Sequence, residues 1–259
     1  MQDKDYITVY WAPAPFVPEE TSWSHLYSKP TSLFAELLEV KNPENKAKRG
    51  QSMYGCPSYI ETMRNIFVVK NVIESKIDTS KLVVTGDNYN YPLVFNDIAP
   101  LLVKVQREPS IRNYTNIVYN MGWLLFADEP LVTRFTAPYF PPLSPADGVI
   151  LSTGEFDIGS WYRDFNLDYH VPPKTKELVF EEDQPLFYIE FKTDKKVVLK
   201  RYKLTKELRN MADEFVQSRE RYGKFKTLQQ RYSISRKTMM PEQVLSEIKK
   251  NVINETGAV

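Results

Sequence analysis

From about residue 53 to residue 203, the sequence is a succession of short apolar runs separated by turn residues. Residues 66–69, 82–84 and 101–105 are examples rich in Val, Ile and Leu, and Gly, Asp or Asn stands between the runs. Such a pattern predicts strands joined by turns. Because no helical periodicity lies between them, the strands favour an antiparallel β-sandwich or a barrel-like body.

We therefore predict a mostly β (α+β) fold with α-helices at the C-terminus. Residues 1–203 are expected to form a β-rich body with one short helix near residues 31–40, which Thr31 or Ser32 can cap. Residues 6–18 predict an edge strand that runs into a proline-fixed loop, because proline cannot sit in a central strand. Residues 204–259 are expected to form a separate helical arm.

Composition excludes several classes of protein. With Cys56 as its single cysteine, the chain cannot form an intrachain disulfide or a cysteine zinc cluster, and it fits a reducing compartment. No apolar core follows Met1, so no secretory signal is expected. The apolar runs are too short to span a bilayer, so we expect no membrane partner.

The hydrophobic period changes after Tyr202 and becomes helical. Apolar residues recur there at steps of three and four, which predicts one amphipathic helix with Thr205 as its cap. They are Leu208, Met211, Phe215, Tyr222, Phe225 and Tyr232. A second helix is predicted to start at Pro241, to end near Gly257 and to bury four side chains. These are Val244, Leu245, Ile248 and Val252.

Charge is divided unevenly along the chain. Residues 195–237 hold 14 Lys or Arg and 4 Asp or Glu, a net charge of +10, whereas residues 1–194 carry −8. Basic side chains interleaved with aromatic ones can bind an acidic protein surface, or nucleic acid through phosphates and stacked bases. They can also be a solvated helix face whose aromatics pack on the chain's own sheet. The acidic body would repel a phosphate backbone, so a protein partner is favoured over nucleic acid.

The candidate partner-binding residues lie in the most basic part of the arm. They are Arg219, Arg221, Tyr222, Lys224, Phe225, Lys226, Arg231 and Tyr232. The apolar stripe of the arm must bury either on this chain or on a neighbour, so an oligomer is also possible.

A metal-dependent enzyme with a β-sandwich or cupin-like body is the alternative. Residues 154–164 are dense in carboxylates, and Asp168 and His170 follow them on one face of a predicted strand. A mononuclear iron site needs two His and one carboxylate, so His25 would have to join them. The sequence has no nucleophile elbow and no phosphate-binding glycine loop, and Cys56 is interpreted as a buried structural thiol. We therefore expect no cofactor and a protein that is not an enzyme.

Several blocks together resemble a family of proteins of tailed phages of marine bacteria, especially T4-like cyanophages. They include Val-Tyr-Trp-Ala-Pro at 9–13, Cys-Pro-Ser-Tyr at 56–59, residues 63–68, 126–131, 154–163, 184–189 and 200–202. The resemblance brings no assigned activity and no site residues. In place of the family's Phe-Arg-Pro after the tryptophan, this chain has Tyr162-Arg163-Asp164.

The resemblance implies a viral context, in the virion or in the host cytoplasm. Together with the basic arm and the missing catalytic signature, it predicts a non-enzymatic phage protein. Such a protein would be a virion structural or accessory component that docks on a partner protein through the arm.

Overall fold

The computed structural model describes residues 5–14, 24–39, 56–86, 104–111, 113–138, 145–221 and 227–253. The strands are β1 (Tyr6–Pro13), β2 (Thr31–Ser32), β3 (Ile66–Lys70), β4 (Ser75–Asp78), β5 (Val84–Thr85), β6 (Lys104–Ile111), β7 (Tyr114–Asn120), β8 (Trp123–Ala127), β9 (Val132–Thr136), β10 (Ile150–Leu151), β11 (Gly154–Asp157), β12 (Leu167–Val171), β13 (Glu177–Phe180), β14 (Pro185–Phe191) and β15 (Lys196–Arg201). The helices are α1 (Leu33–Glu39), α2 (Pro57–Met63), α3 (Lys206–Arg221), α4 (Leu228–Lys237) and α5 (Met240–Lys250), and a short 3-10 turn covers Ser24–Leu26. A mostly β, sandwich-like fold with C-terminal helices is thereby confirmed.

The strands form four sheets. Their strand orders are β15-β1-β8, β10-β12-β7-β6, β11-β9-β14-β3-β2 and β13-β4-β5. β1 runs parallel to β15 and antiparallel to β8, and the pairs within the other three sheets are antiparallel. Most of the sheet structure is thus built as the spacing of the apolar runs predicts.

The sheet β15-β1-β8 is the central layer of the molecule. Val9 and Trp11 of β1 face the main core, whereas Tyr10 and Ala12 face the C-terminal helices. Since both faces are buried, β1 is apolar at successive positions rather than at alternate ones. The prediction of an edge strand is wrong, because β1 has hydrogen-bonded neighbours on both sides. Pro13, its last residue, is tolerated because it lies at the strand end.

The main core is rich in aromatic side chains. Trp11 and Trp123 stack with ring centroids 5.5 Å apart. Phe135 lies 5.1 Å from Phe156 and 4.7 Å from Phe165. Such pairs add about 0.5–1.5 kcal/mol each beyond their buried area. One core therefore joins residues from all four sheets.

Helices α3, α4 and α5 cover the other face of the central sheet. Leu208, Phe215, Tyr232, Val244 and Ile248 are buried there, in a cluster separate from the main core. The described part of the arm's apolar stripe therefore lies on the chain's own sheet, which is one of the two places that its pattern allows.

The predicted long helix of the arm is divided in two. Thr227 and Gln230 form a capping box, in which each side chain accepts the backbone N–H of the other, at 3.3 and 2.9 Å. This cap starts α4 as a new helix, so the prediction of one continuous helix is wrong. Thr205 caps α3 as predicted, since its Oγ1 accepts the N–H of Leu208 at 3.2 Å.

The predictions for the other helices are partly confirmed. The short helix near residues 31–40 is α1, and α5 contains Pro241 in its first turn, as predicted. Helix α5 ends at Lys250 rather than near Gly257. Helix α2, which begins at Pro57, was not predicted, because its apolar residues were attributed to strands. The prediction that Cys56 is buried is wrong, because Cys56 is exposed at the start of this helix.

Candidate functional site

An open cavity of about 700 Å³ lies between the β7–β12 face, residues 154–166 and the start of α4. Several acidic and basic side chains of residues 154–170 line it, and two side chains of the arm complete its rim. The lining residues include Glu155, Arg163, Asp164, Asp168, His170, Leu228 and Arg231. We call this cavity the groove. Its volume is in the range of small-molecule and peptide-segment sites.

The arm is fixed beside the groove by a set of polar contacts that we call the Asp157 latch. Arg236 donates to Asp157 Oδ2 at 2.9 Å and to Ser160 Oγ at 3.0 Å. Ser235 Oγ donates to the carbonyl oxygen of Ser160 at 3.1 Å. The Tyr232 hydroxyl accepts the backbone N–H of Asp157 at 2.7 Å. Three residues of α4 thus bind one turn of the body.

That turn holds the Asp157 carboxylate in place independently of the arm. Asp157 is 4% exposed and accepts the N–H groups of Leu131 and Gly159, each at 2.9 Å, and the hydroxyl of Ser160 at 2.7 Å. Gly159 is needed there, because a Cβ would lie 2.2 Å from the carbonyl oxygen of Glu129. The body therefore presents a preformed acceptor to Arg236.

A second ion pair ties α3 to the body. Arg209 donates to both oxygens of Asp164, at 3.2 and 3.1 Å, which is the two-pronged geometry that guanidinium groups prefer. Burial raises the pKa of the Asp164 carboxyl, and Arg209 opposes that rise. The arm is thus attached through two carboxylates, Asp157 and Asp164.

Trp161 is the aromatic link between the groove and the arm. Its ring meets Phe215 edge-on at 5.9 Å and Tyr232 at 6.1 Å. The Arg231 guanidinium lies over the same ring, 5.9 Å from its centroid, where a cation–π interaction is favourable. Arg231 is therefore held at the groove rim by an aromatic face.

Only two of the eight candidate partner-binding side chains can be placed. Arg231 lines the groove, and Tyr232 is 4% exposed in the latch, where burial raises its pKa to about 12. Arg219 and Arg221 belong to the last turns of α3. Four further candidates lie outside the described residues, namely Tyr222, Lys224, Phe225 and Lys226.

Of the candidate metal ligands, Asp168 and His170 both line the groove, on one face of β12 as predicted. His25 is exposed in the 3-10 turn. Within the part of the chain that the structure describes, no group of three or more His, Cys, Asp or Glu is arranged to hold a metal ion. Both ring nitrogens of His170 are hydrogen-bonded to polar side chains, Ser152 and Asn116.

Sequence reasoning missed the residues that surround His170 and the residues that accept the arm. Ser152 and Asn116 carry no local motif, because strand pairing brings them to His170 from other strands. Asp157 and Ser160 lie within the carboxylate-rich residues 154–164, but the pattern of that segment did not predict that they bind α4.

The comparisons with known proteins add no assignment. No protein-family model matches the chain, and no curated protein matches it. Among the described helices, none combines the length and the apolar character that crossing a membrane requires.

Proposed function

We propose that this chain is a phage protein that docks on an acidic partner protein through the outer face of its helical arm. The observation that carries the proposal is the fixed arm. The Asp157 latch and the buried cluster around Phe215 use its inner face, so its outer face is left for another molecule. An arm that is rigid before binding loses little conformational entropy when it docks.

The outer face has the composition of a docking surface. Lys206 and Lys237 are exposed on the arm, together with the acidic Glu207, Asp213 and Glu214, and Val216 is a large apolar side chain that is 42% exposed. Cationic side chains steer an acidic partner towards the surface, and apolar side chains beside them supply the buried contact. Arg231 at the groove rim extends this surface towards the body.

The viral context rests on the resemblance of residues 9–202 to tailed-phage proteins. In that context the partner is a virion protein or a protein of the infected cell, and the arm can also meet a second copy of this chain. The −8 charge of residues 1–194 favours a protein partner over nucleic acid, since an acidic body repels phosphate.

Charge reversal on the arm tests the proposal in the phage that encodes the chain. We expect the wild-type protein to be recovered from purified particles, or cross-linked to one protein in infected cells, through arm lysines. The double variant Lys206→Glu, Lys237→Glu should lower that recovery by about tenfold, as expected when two steering charges are lost.

Matched substitutions in the body provide the control. Lys174→Glu with Lys176→Glu changes the net charge equally at two exposed body positions and should leave recovery unchanged. Equal losses in the two double variants would contradict docking through the arm. Binding to DNA that falls steeply with salt would instead support the nucleic-acid alternative.

A further inference from the structure

His170 is hydrogen-bonded to two polar side chains, and no sequence motif predicts this arrangement. Its Nδ1 is 2.7 Å from Oδ1 of Asn116, and its Nε2 is 2.6 Å from Oγ of Ser152. A carbonyl oxygen only accepts hydrogen bonds, so Nδ1 must carry the proton that Asn116 receives. In the neutral ring, Nε2 is then an acceptor for the Ser152 hydroxyl.

The arrangement follows from strand register. His170 of β12 is directly opposite Asn116 of β7 and Ile150 of β10, so adjacent strands point side chains to the same face. The backbone N–H of Ser152 donates to the carbonyl oxygen of Asp168 at 2.8 Å, which holds Ser152 beside β12. Three backbone segments therefore fix the three side chains.

We propose that Ser152, His170 and Asn116 act as a nucleophile, a general base and a positioning residue that hydrolyse carboxylic esters bound in the groove. A serine hydroxyl bonded to one imidazole nitrogen, with a third group orienting the other nitrogen, is the arrangement that activates serine in unrelated folds. Ser152 and His170 both line the groove and are partly exposed, so a substrate can reach them.

The rest of the groove suits an ester with a ring-bearing alcohol. Phe156 and Trp161 provide aromatic walls, and a volume of about 700 Å³ accommodates a ligand of that size. Arg163 and Arg231 line the same groove. Their cationic groups lie in the groove together with the carboxylates of Glu155, Asp164 and Asp168.

The reaction balances with water as the only co-reactant. Ser152 Oγ attacks the acyl carbon while its proton moves to His170 Nε2, and the C–O bond to the alcohol breaks as Nε2 returns that proton to the alcohol. Water then attacks the acyl-serine and gives a proton to Nε2. The carboxylic acid leaves, and Ser152 Oγ takes the proton back.

This activity goes beyond docking, and the two proposals fail independently. The docking test changes Lys206 and Lys237, whereas the chemistry requires Ser152 and His170. A positive result would replace the expectation of a non-enzymatic protein and leave the docking proposal intact.

Hydrolysis of p-nitrophenyl acetate and labelling by a fluorophosphonate test the proposal on the full chain. We expect label on Ser152 by peptide mass spectrometry, and kcat/KM reduced at least about 100-fold in Ser152→Ala and in His170→Ala. Ser233→Ala, at an exposed position of α4, is the matched control and should keep wild-type turnover.

The role of Asn116 has its own readout. Asn116→Ala should lower kcat, and Asn116→Asp should restore it while moving the acidic limb of the pH–rate profile to higher pH. The reason is that a carboxylate stabilises the imidazolium form of His170. A merely structural amide would give no such shift.

The variant Ser152→Cys keeps the proposal testable if Ser152→Ala does not fold. In Ser152→Cys the thiol next to His170 should react with iodoacetamide faster than Cys56, an exposed cysteine of the same chain. Equal alkylation rates, fluorophosphonate label on other serines, or turnover that survives His170→Ala would overturn the proposal. The three side chains would then be a cross-strand hydrogen-bond ladder only.

Discussion

The two faces of the sheet β15-β1-β8 are covered in different ways. On one face the main core is apolar and aromatic, as in the Trp11–Trp123 stack. On the other face the arm also has an apolar cluster, but charged pairs at Asp157 and Asp164 tie it to the body. The body is thus held by burial, whereas the arm is held by burial and, in addition, by a few polar groups that can be changed singly.

This difference bears on function. The strands of the body are tied to one another through the main core. The arm, in contrast, can be loosened or fixed through Asp157 and Arg236 while the central sheet stays intact. Docking through the arm is therefore open to tests that leave the fold in place.

The largest expected effect comes from Asp157→Ala. The substitution leaves the N–H groups of Leu131 and Gly159 without their acceptor and Arg236 without its carboxylate. We expect a loss of about 3 kcal/mol in the free energy of unfolding, measured by urea denaturation. A loss below about 1 kcal/mol would mean that the latch does not hold the arm.

Tyr232→Phe should have a smaller effect. It removes the acceptor of the Asp157 N–H, and we expect a loss of about 1 kcal/mol at neutral pH. Phenylalanine has the same ring and keeps the contact with Trp161, so the measured loss reports the hydroxyl alone.

The same variant should alter the alkaline stability of the chain. The pKa of Tyr232 is raised from 10.0 to about 12, so between these pH values the unfolded chain loses the proton and the folded chain keeps it. Stability therefore falls as pH rises through this window, by about 1.4 kcal/mol per pH unit for one tyrosine. Burial also raises the pKa values of Tyr119 and Tyr169 in the body, and their contribution to the pH dependence of stability should be the same in the variant and in the wild type. If the free energy of unfolding fell equally steeply with pH in Tyr232→Phe and in the wild type, the raised pKa of the buried Tyr232 hydroxyl would be contradicted.

The smallest expected effect is that of Thr227→Ala at the start of α4. The substitution removes half of the capping box, so we expect a loss of about 1 kcal/mol or less, because the cap is exposed. Circular dichroism during urea unfolding measures it. Ser233→Ala in the same helix should be neutral, and equal effects of the two substitutions would argue against the cap.

Local patterns predicted the fold class because apolar residues recur with a different period in strands and in helices. They did not predict that β1 is central, because its parallel partner β15 is about 190 residues away and only tertiary pairing joins them. Of the groove residues, the common face of Asp168 and His170 was predicted, because they share a strand and side chains alternate along it. Ser152 and Asn116 meet His170 only through strand register, which no local pattern specifies.

The most direct test of the account is native-state hydrogen exchange in wild-type protein and in Arg236→Gln. This substitution removes the cation of the latch and leaves the main core unchanged. We predict that amides of α4 and α5 exchange about tenfold faster, while those of β1 and β8 keep their wild-type rates. Equal acceleration in the arm and in the central sheet, or none in either, would contradict an arm that is held by the Asp157 latch.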